Sequence, residues 1–238
     1  MVRAVVFDFG QTLVDSACGF RTAEKQLQAR LVAELPNVAP DAFLDYYRRQ
    51  RSEFQQLSDF SRKALCLAVL EHYGCPADQA AAERWENDYW ETVRSKTREF
   101  PEARSVLQEL KDSFRLGLVT NTQGQGKAGT HRLRDFHELL TCFDAVVVAG
   151  EAGVPEKPDP RPFLACLERL GCPPSEAVYV GDTWRIDLCG ARAAGMNAIW
   201  LQHHATQRTW PAVADDFPII HSLDELLRFP LLWEFDHA

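Results

Sequence analysis

Long apolar runs are missing from this sequence of 238 residues. No run approaches the roughly 18 apolar residues that a membrane span needs. The N-terminus enters a predicted strand at once, where a secretory leader would have a positively charged region and a cleavage site. We therefore expect a cytoplasmic protein that makes no use of a membrane.

Paired cysteines and an excess of positive charge are also lacking. The seven cysteines are odd in number and scattered, with no CxxC pair, so neither a disulfide framework nor a zinc site is indicated. Reduced thiols fit this pattern. The formal net charge of −8 would repel nucleic acid and anionic membranes as a whole. A small-molecule substrate is favoured, and a local basic pocket for a phosphorylated metabolite stays open, as does the oligomeric state.

What the sequence does have is a regular alternation of strand and helix patterns. Short apolar runs predict strands at Ala4–Phe7, Leu116–Thr120, Ala145–Ala149 and Ala177–Val180, with a weaker fifth at Asn197–Leu201. Helical patterns lie between the later runs, at Ala103–Lys111, Arg132–Leu140, Pro162–Leu170 and Asp187–Ala194. This alternation predicts an α/β fold with a Rossmann-like parallel sheet and helices on both faces.

The segment from residue 16 to 100 breaks that alternation. It carries no strand pattern and contains several amphipathic helical patterns separated by proline and glycine. We predict a helical domain at 16–100, inserted into an α/β core made of 1–15 and 101–238. The aromatic residues of the insert sit mostly at helical spacing, which is typical of a domain's own core.

Polar side chains follow four of the predicted strands. They are Asp8, then Thr120 and Asn121, then Lys157, and finally Asp182 and Asp187. The carboxyl ends of parallel strands share one edge of the sheet, so these groups should converge. Such a set suits attack on phosphorus by a carboxylate, with Mg²⁺ held by the oxygens of Asp8, Asp182 and Asp187. Asp187 stands near a predicted helix start, so a helix N-cap competes there with metal support.

These residues, in this order, resemble the haloacid dehalogenase-like hydrolase superfamily, in the subfamily with an α-helical cap between its first and second motifs. The resemblance implies that Asp8 is the nucleophile, that Thr120 and Lys157 are catalytic, and that Asp182 and Asp187 are the acidic pair of the fourth motif. It also implies that Asn121 helps to hold the phosphoryl group and that Thr12 supports the turn beside Asp8. Gly10 would offer its backbone carbonyl to the cation.

Gly10 departs from the pattern of the phosphatases in that superfamily. They usually carry an aspartate there, which protonates the leaving oxygen and later activates water. A missing acid/base costs about 10² to 10⁴ in rate. The preferred interpretation is a phosphohydrolase whose acid/base comes from elsewhere, for example Asp15, or whose leaving group needs no proton. If the missing acid limits the rate, Gly10→Asp should raise turnover of alkyl phosphates.

Two other interpretations stay open. One is a related chemistry, either dehalogenation or cleavage of a carbon–phosphorus bond. The intact Asp182 argues against dehalogenation, since it implies a metal, and a phosphonate hydrolase should have a Schiff-base lysine, for which Lys25 and Lys63 are candidates. The other is a protein that binds a phosphorylated ligand without turning it over.

A glycine-rich stretch needs a separate interpretation. Gly124–Gly129 matches GxGxxG, but the preceding residues separate it from the strand, and no acid follows at the spacing of a dinucleotide site. We interpret it as a loop. His131 and His137, just beyond it, are predicted to lie on a helix surface.

Overall fold

The structure is a computed structural model that describes residues 1–35, 38–57, 59–76, 78–122, 131–206, 210–211 and 217–233. Within these residues the chain forms two compact units. One contains Met1–Ala17, Arg98–Asn121 and the described residues between 128 and 238. The other contains Cys18–Thr97 and Thr122. The long segment of the helical unit therefore runs from 18 to 97, where the sequence places the domain limits at 16 and 100.

The first unit is built on a parallel sheet. Its strands are β1 (Ala4–Phe7), β2 (Val14–Asp15), β3 (Arg98–Glu99), β4 (Arg115–Asn121), β5 (Ala145–Ala149), β6 (Ala177–Gly181), β7 (Asn197–Leu201) and β8 (Ile219–Ile220). In the described part of the chain, six of them form a sheet in the order β5-β4-β1-β6-β7-β8, while β2 and β3 pair separately and antiparallel. The predicted α/β class is confirmed.

Burial on both faces explains why these strands read as continuous apolar runs. Every residue of β1 and β6 is buried. Because side chains alternate across a strand, Val5 and Phe7 join one hydrophobic cluster while Ala4 and Val6 join another. The helices that contribute to these clusters are α5 (Ala103–Lys111), α6 (His137–Leu140), α7 (Arg161–Leu170), α8 (Cys189–Ala193) and α9 (Pro230–Trp233).

The strand register decides which side chains meet at the carboxyl edge. Phe7, the last residue of β1, pairs with Leu118 of β4 and with Val180 of β6. The backbone N–H of Asp8 continues the ladder by donating to the Val180 carbonyl at 2.9 Å. Residues that follow Leu118 and Val180 are therefore the neighbours of Asp8.

The second unit contains four helices among its described residues. They are α1, which begins in the first unit (Ala17–Glu34), α2 (Pro40–Gln56), α3 (Arg62–His72) and α4 (Gln79–Lys96). Its hydrophobic core includes Leu31, Phe43, Val69 and Trp90. Among the described residues of the whole chain, no helix combines the length and apolarity needed to cross a membrane.

Glu24 carries a buried charge in the helical unit. Its carboxylate accepts hydrogen bonds from the Tyr47 hydroxyl at 2.8 Å and from the Tyr89 hydroxyl at 3.0 Å. The guanidiniums of Arg51 and Arg62 lie 3.2 and 3.8 Å from its oxygens. Since Arg62 is itself buried, each charge depends on the other for compensation.

We expect Glu24→Gln to lower the free energy of unfolding by about 3 kcal/mol, because it leaves the Arg62 charge buried without its carboxylate partner. Urea unfolding, followed by circular dichroism, measures the change. Asp88→Asn is the matched control, since Asp88 pairs with Arg30 at 2.6 Å on the exposed surface, where a pair is worth about 0 to 1 kcal/mol. Equal losses in the two variants would contradict this account of Glu24.

Candidate active site

Lys157 lies at the centre of the groups that the sequence predicts to converge. Its ammonium Nζ donates to Asp8 Oδ1 and to Asp187 Oδ1, both at 2.7 Å. It also contacts the Val119 carbonyl at 3.1 Å and the Tyr179 hydroxyl at 3.0 Å. The side chain is almost fully buried. Burial acts to lower the pKa of Lys157, but Asp187 and Asp8 together raise it, so the ammonium stays charged.

Three carboxylates lie together around this ammonium. One oxygen from each of Asp8, Asp182 and Asp187 lies within 4.8 Å of the others, and all three residues are buried. Burial raises the pKa of Asp8 to about 6, with Lys157 opposing the rise and Asp187 adding to it. One ammonium does not balance three carboxylates.

The donor set fits a divalent cation. Carboxylate oxygens are the ligands that Mg²⁺ takes in proteins, and a double positive charge would balance the remaining negative charge of this cluster. Asp8, Asp182 and Asp187 could each contribute one such oxygen, and both oxygens of Asp187 also accept hydrogen bonds, from the Lys157 ammonium and from the Thr183 backbone N–H. The chemistry of the site therefore agrees with a magnesium requirement.

Asp187 is held in place by its own backbone segment. Its Oδ2 accepts from the Thr183 backbone N–H at 2.8 Å, and its Oδ1 accepts from the Lys157 ammonium. It lies inside a π-helical turn, Trp184–Leu188, and caps neither that turn nor α8. The N-cap interpretation of Asp187 is therefore wrong. Its carboxylate connects the Lys157 ammonium to the Thr183 backbone.

Gly181 makes room for this arrangement. A β-carbon at position 181 would lie 2.6 Å from the Asp187 β-carbon and 2.7 Å from its carboxyl carbon. A β-carbon does not approach non-bonded atoms this closely, so any side chain here would displace the Asp187 carboxylate. The glycine before Asp182 is thus a packing requirement of the site.

Asn121 binds the loop that carries Lys157. Its Oδ1 accepts from the Lys157 backbone N–H at 2.8 Å, and its Nδ2 donates to the Lys157 carbonyl at 3.1 Å. The family resemblance implies that Asn121 helps to hold the phosphoryl group, and that role stays a prediction, while the contacts of its side chain are with the Lys157 backbone. The neighbouring Thr120 is buried at the carboxyl end of β4.

The turn after Asp8 is tight and leads directly into β2, which pairs with β3. The Phe9 carbonyl accepts from the N–H groups of Leu13 and Val14 at 2.9 and 3.2 Å. Gln11 adopts a φ of 61°, and its side-chain oxygen accepts from the Ser16 N–H at 2.7 Å. Thr12 is fully buried in this turn, and none of the described residues lies within hydrogen-bond distance of its hydroxyl. Its supporting role in the turn stays a prediction.

His131 differs from its sequence prediction. It is buried, whereas His137 is exposed as expected. The His131 ring accepts from the Leu133 N–H at 3.1 Å and also bonds to the Asn121 backbone. Burial, together with the charge of Arg132, holds the pKa of His131 well below its usual value, so the ring is neutral. No periodicity in the sequence signals this contact, because the predicted helix Arg132–Leu140 is interrupted at Phe136.

The glycine-rich stretch Gly124–Gly129 lies outside the described residues. The other residues predicted for the site are described, and they gather at the carboxyl edge of the sheet. This parallel sheet with its buried acidic cluster is the framework of an α/β enzyme.

Comparison with known proteins identifies the family. Residues 2–195 match the model of the haloacid dehalogenase-like hydrolase family, and the chain belongs to that family. It is therefore a hydrolase.

Three relatives illustrate the range within that family. The chain is 31% identical to a phosphoglycolate phosphatase of Nitrosospira multiformis, over 82% of this chain and 80% of that one. It is 30% identical to a solved 2-haloacid dehalogenase of Pseudomonas syringae, with a TM-score of 0.66 over 98% and 100% of the two chains. The fold also matches the putative hydrolase YfnB of Bacillus subtilis, bound to magnesium, at 23% identity, a TM-score of 0.69 and coverage of 98% and 99%.

Proposed function

We propose that this chain is a Mg²⁺-dependent phosphohydrolase that acts on a small phosphorylated metabolite through an aspartyl-phosphate at Asp8. The observation that carries the proposal is the contact of the Asp8 carboxylate with the Lys157 ammonium at 2.7 Å, beside the carboxylates of Asp182 and Asp187. A buried carboxylate fixed by a cation, with further acids for a metal, suits phosphoryl transfer. The phosphatase relative supports the same reaction class.

The reaction takes two displacements at phosphorus. In the first, an Asp8 oxygen bonds to phosphorus, and the bond from phosphorus to the leaving oxygen breaks with its electrons going to that oxygen. In the second, water bonds to phosphorus and loses a proton to solvent, the bond from phosphorus to the Asp8 oxygen breaks with its electrons returning to the carboxylate, and inorganic phosphate leaves. Lys157 holds the Asp8 carboxylate in position and supplies positive charge beside the transferring oxygens.

The supporting residues maintain this geometry. Asp187 and the Tyr179 hydroxyl keep the Lys157 ammonium directed at Asp8, and Asn121 fixes the backbone of the same residue. Asp8 and Asp182 would hold Mg²⁺, with the Gly10 backbone carbonyl as the further ligand that the family resemblance implies. When bound, the cation supplies charge neutralisation to the phosphoryl oxygens.

Dehalogenation is the second candidate function. The relative that favours it is the 2-haloacid dehalogenase structure, which has 30% identity over nearly the whole of both chains. There, Asp8 would bond to the carbon that carries the halogen, halide would leave, and water would attack the carboxyl carbon of Asp8. The buried Asp182 beside Asp8 favours the phosphatase instead, because a third carboxylate can serve as a ligand for a divalent cation.

Isotope labelling distinguishes the two reactions. A single turnover in H₂¹⁸O, with enzyme in excess, should place ¹⁸O in the released phosphate and none in the Asp8 peptide, as mass spectrometry can measure. A dehalogenase acting on a 2-haloacid would instead place ¹⁸O in the Asp8 carboxyl group. Label in Asp8 would overturn the phosphatase proposal.

Substrate panels address the remaining alternatives. Aryl, acyl and alkyl phosphates are assayed with and without Mg²⁺. Binding of phosphate without turnover of any ester would favour a sensor of phosphorylated ligands. A phosphonate hydrolase needs an uncharged lysine, whereas Lys25 is exposed and Lys63 pairs with Glu83 at 3.5 Å.

A cytoplasmic location, and the division into a core (1–15 and 101–238) and a cap (16–100), remain part of the proposal.

A further inference from the structure

Trp200 connects strand β7 to the acidic cluster. Its indole Nε1–H donates to the backbone carbonyl of Asp182 at 2.9 Å. Trp200 is the residue of β7 that pairs with Gly181, the last residue of β6, so the indole provides a hydrogen bond just beyond the end of the strand ladder. Both Trp200 and Asp182 are buried. Because a buried carbonyl without a partner is unfavourable, the indole stabilises the backbone at this point.

The peptide group between Asp182 and Thr183 is held from both sides. Its carbonyl, which belongs to Asp182, accepts from Trp200, and its N–H, which belongs to Thr183, donates to Asp187 Oδ2 at 2.8 Å. In a trans peptide these two groups lie in one plane and point in opposite directions. The two bonds therefore fix the orientation of the plane, and with it the direction in which the Asp182 side chain leaves the backbone.

The carboxylate of Asp182 is oriented by a further contact. The Thr183 hydroxyl donates to Asp182 Oδ1 at 3.0 Å. One carboxylate oxygen of Asp182 lies within 4.8 Å of an oxygen from each of Asp8 and Asp187. A candidate metal ligand thus has both its backbone and its carboxylate fixed. Such a ligand is preorganised, since binding a cation requires little further ordering of the chain.

The indole of Trp200 is well supported within the core. Its backbone N–H donates to the Pro218 carbonyl at 2.8 Å. The ring packs edge-on against Trp210, with 6.0 Å between centroids and 89° between planes. It also belongs to the hydrophobic cluster that contains Tyr179 and Leu188. A side chain packed on several sides in this way holds its N–H in one direction.

We infer that Trp200 is a positioning residue of the metal site: its indole N–H fixes the Asp182 backbone so that the carboxylate is directed at the cation. The inference rests on the metal site of the proposed phosphohydrolase function. Groups that hold the ligands of a metal typically contribute about 10- to 100-fold to its affinity. Mg²⁺ depends on such support because it requires a nearly ideal octahedral arrangement of oxygens.

Calorimetric titration with MgCl₂, without substrate, tests the role of Trp200. We expect Trp200→Phe to raise the dissociation constant of Mg²⁺ about 10-fold, because phenylalanine keeps an aromatic ring in the core but lacks the N–H. Trp233→Phe is the matched control, since the Trp233 indole also donates to a backbone carbonyl at 2.9 Å, that of Leu226. The control should leave the constant within about twofold. Equal losses in the two variants, or no loss in Trp200→Phe, would overturn the inference.

A second control distinguishes the lost hydrogen bond from the lost volume. Trp90 is buried to nearly the same extent as Trp200, and its Nε1 has no hydrogen-bond partner among the described residues. Trp90→Phe should therefore lower the thermal unfolding midpoint without changing the dissociation constant of Mg²⁺. If Trp90→Phe weakens Mg²⁺ binding as much as Trp200→Phe does, the affinity follows stability and the inference is wrong.

A spectroscopic measurement on the wild-type protein remains decisive even if Trp200→Phe does not fold. In ¹³C,¹⁵N-labelled protein with assigned indole resonances, the Trp200 N–H signal should move as MgCl₂ is added, because its acceptor carbonyl belongs to a metal ligand. Its midpoint should match the calorimetric one, and the Trp233 signal should stay in place. A Trp200 signal that does not respond to bound Mg²⁺ would contradict the role of this residue.

These measurements use no phosphate ester, so they distinguish the inference from the proposed function. A wild-type protein that shows the Trp200-dependent affinity but hydrolyses no ester would refute the phosphohydrolase proposal alone. A wild-type protein that hydrolyses esters with Mg²⁺, while Trp200→Phe binds the ion equally well, would refute the role of Trp200 alone. A wild-type protein that binds no Mg²⁺ would overturn both.

Discussion

Asp8→Asn is expected to lower phosphate release roughly 10⁴-fold or more, because an amide cannot act as the nucleophile that a carboxylate is. The variant should fold, since Lys157 keeps its contacts with Asp187, Tyr179 and the Val119 carbonyl. Phosphate release in a single turnover of an aryl phosphate, with enzyme in saturating excess, measures the effect.

Asp159→Asn is the matched control for this prediction. Asp159 lies in the same loop as Lys157 but pairs with Arg161, at 2.7 Å, near the surface. The same chemical change there should leave the rate within about twofold, as expected of a surface pair. Activity of the Asp8→Asn variant at the wild-type level would exclude a covalent intermediate at Asp8.

Lys157→Met is expected to lower kcat at least roughly 10³-fold, because it removes a buried cation that contacts the nucleophile directly. The pH dependence should change as well. Lys157 lowers the pKa of Asp8 while burial raises it to about 6. Without the ammonium that pKa rises further, so the residual activity should appear only at higher pH than in the wild type.

The pH–rate profile of kcat/KM distinguishes this electrostatic role from a structural one. Lys111→Met serves as the control, since Lys111 is exposed and donates to the Thr141 carbonyl at 2.8 Å. A Lys157→Met enzyme whose rate falls while its acidic limb stays unmoved would show that the ammonium does not act on Asp8. Circular dichroism of each variant identifies any loss that comes from unfolding.

The sheet could be predicted from the sequence because burial on both faces leaves a strong local pattern. The strands β1 and β5 have the predicted bounds, and β4 is longer by one residue at each end. β7 also has the predicted bounds, whereas β2, β3 and β8 were not predicted, since two-residue strands such as Ile219–Ile220 are too short to show a period. Convergence of Asp8 and Lys157 followed from the rule that parallel strands end at one edge.

The contacts that could not be predicted from the sequence are those between residues that lie far apart in the chain. Nothing local to Arg132 indicates that its guanidinium lies at the position of a missing side chain on residue 10. The side chain of Asn121 carries the right chemistry for a phosphoryl ligand, yet in the fold it binds the Lys157 backbone. The residue types determine which contacts are chemically possible at this edge of the sheet. The tertiary packing determines which of those contacts each side chain makes.

The shared space of Gly10 and Arg132 also bears on how this enzyme could diverge. A side chain gained at position 10 would require the Nη2 end of Arg132 to move, so we expect substitutions at the two positions to be energetically coupled. We therefore expect the two positions to change together rather than independently.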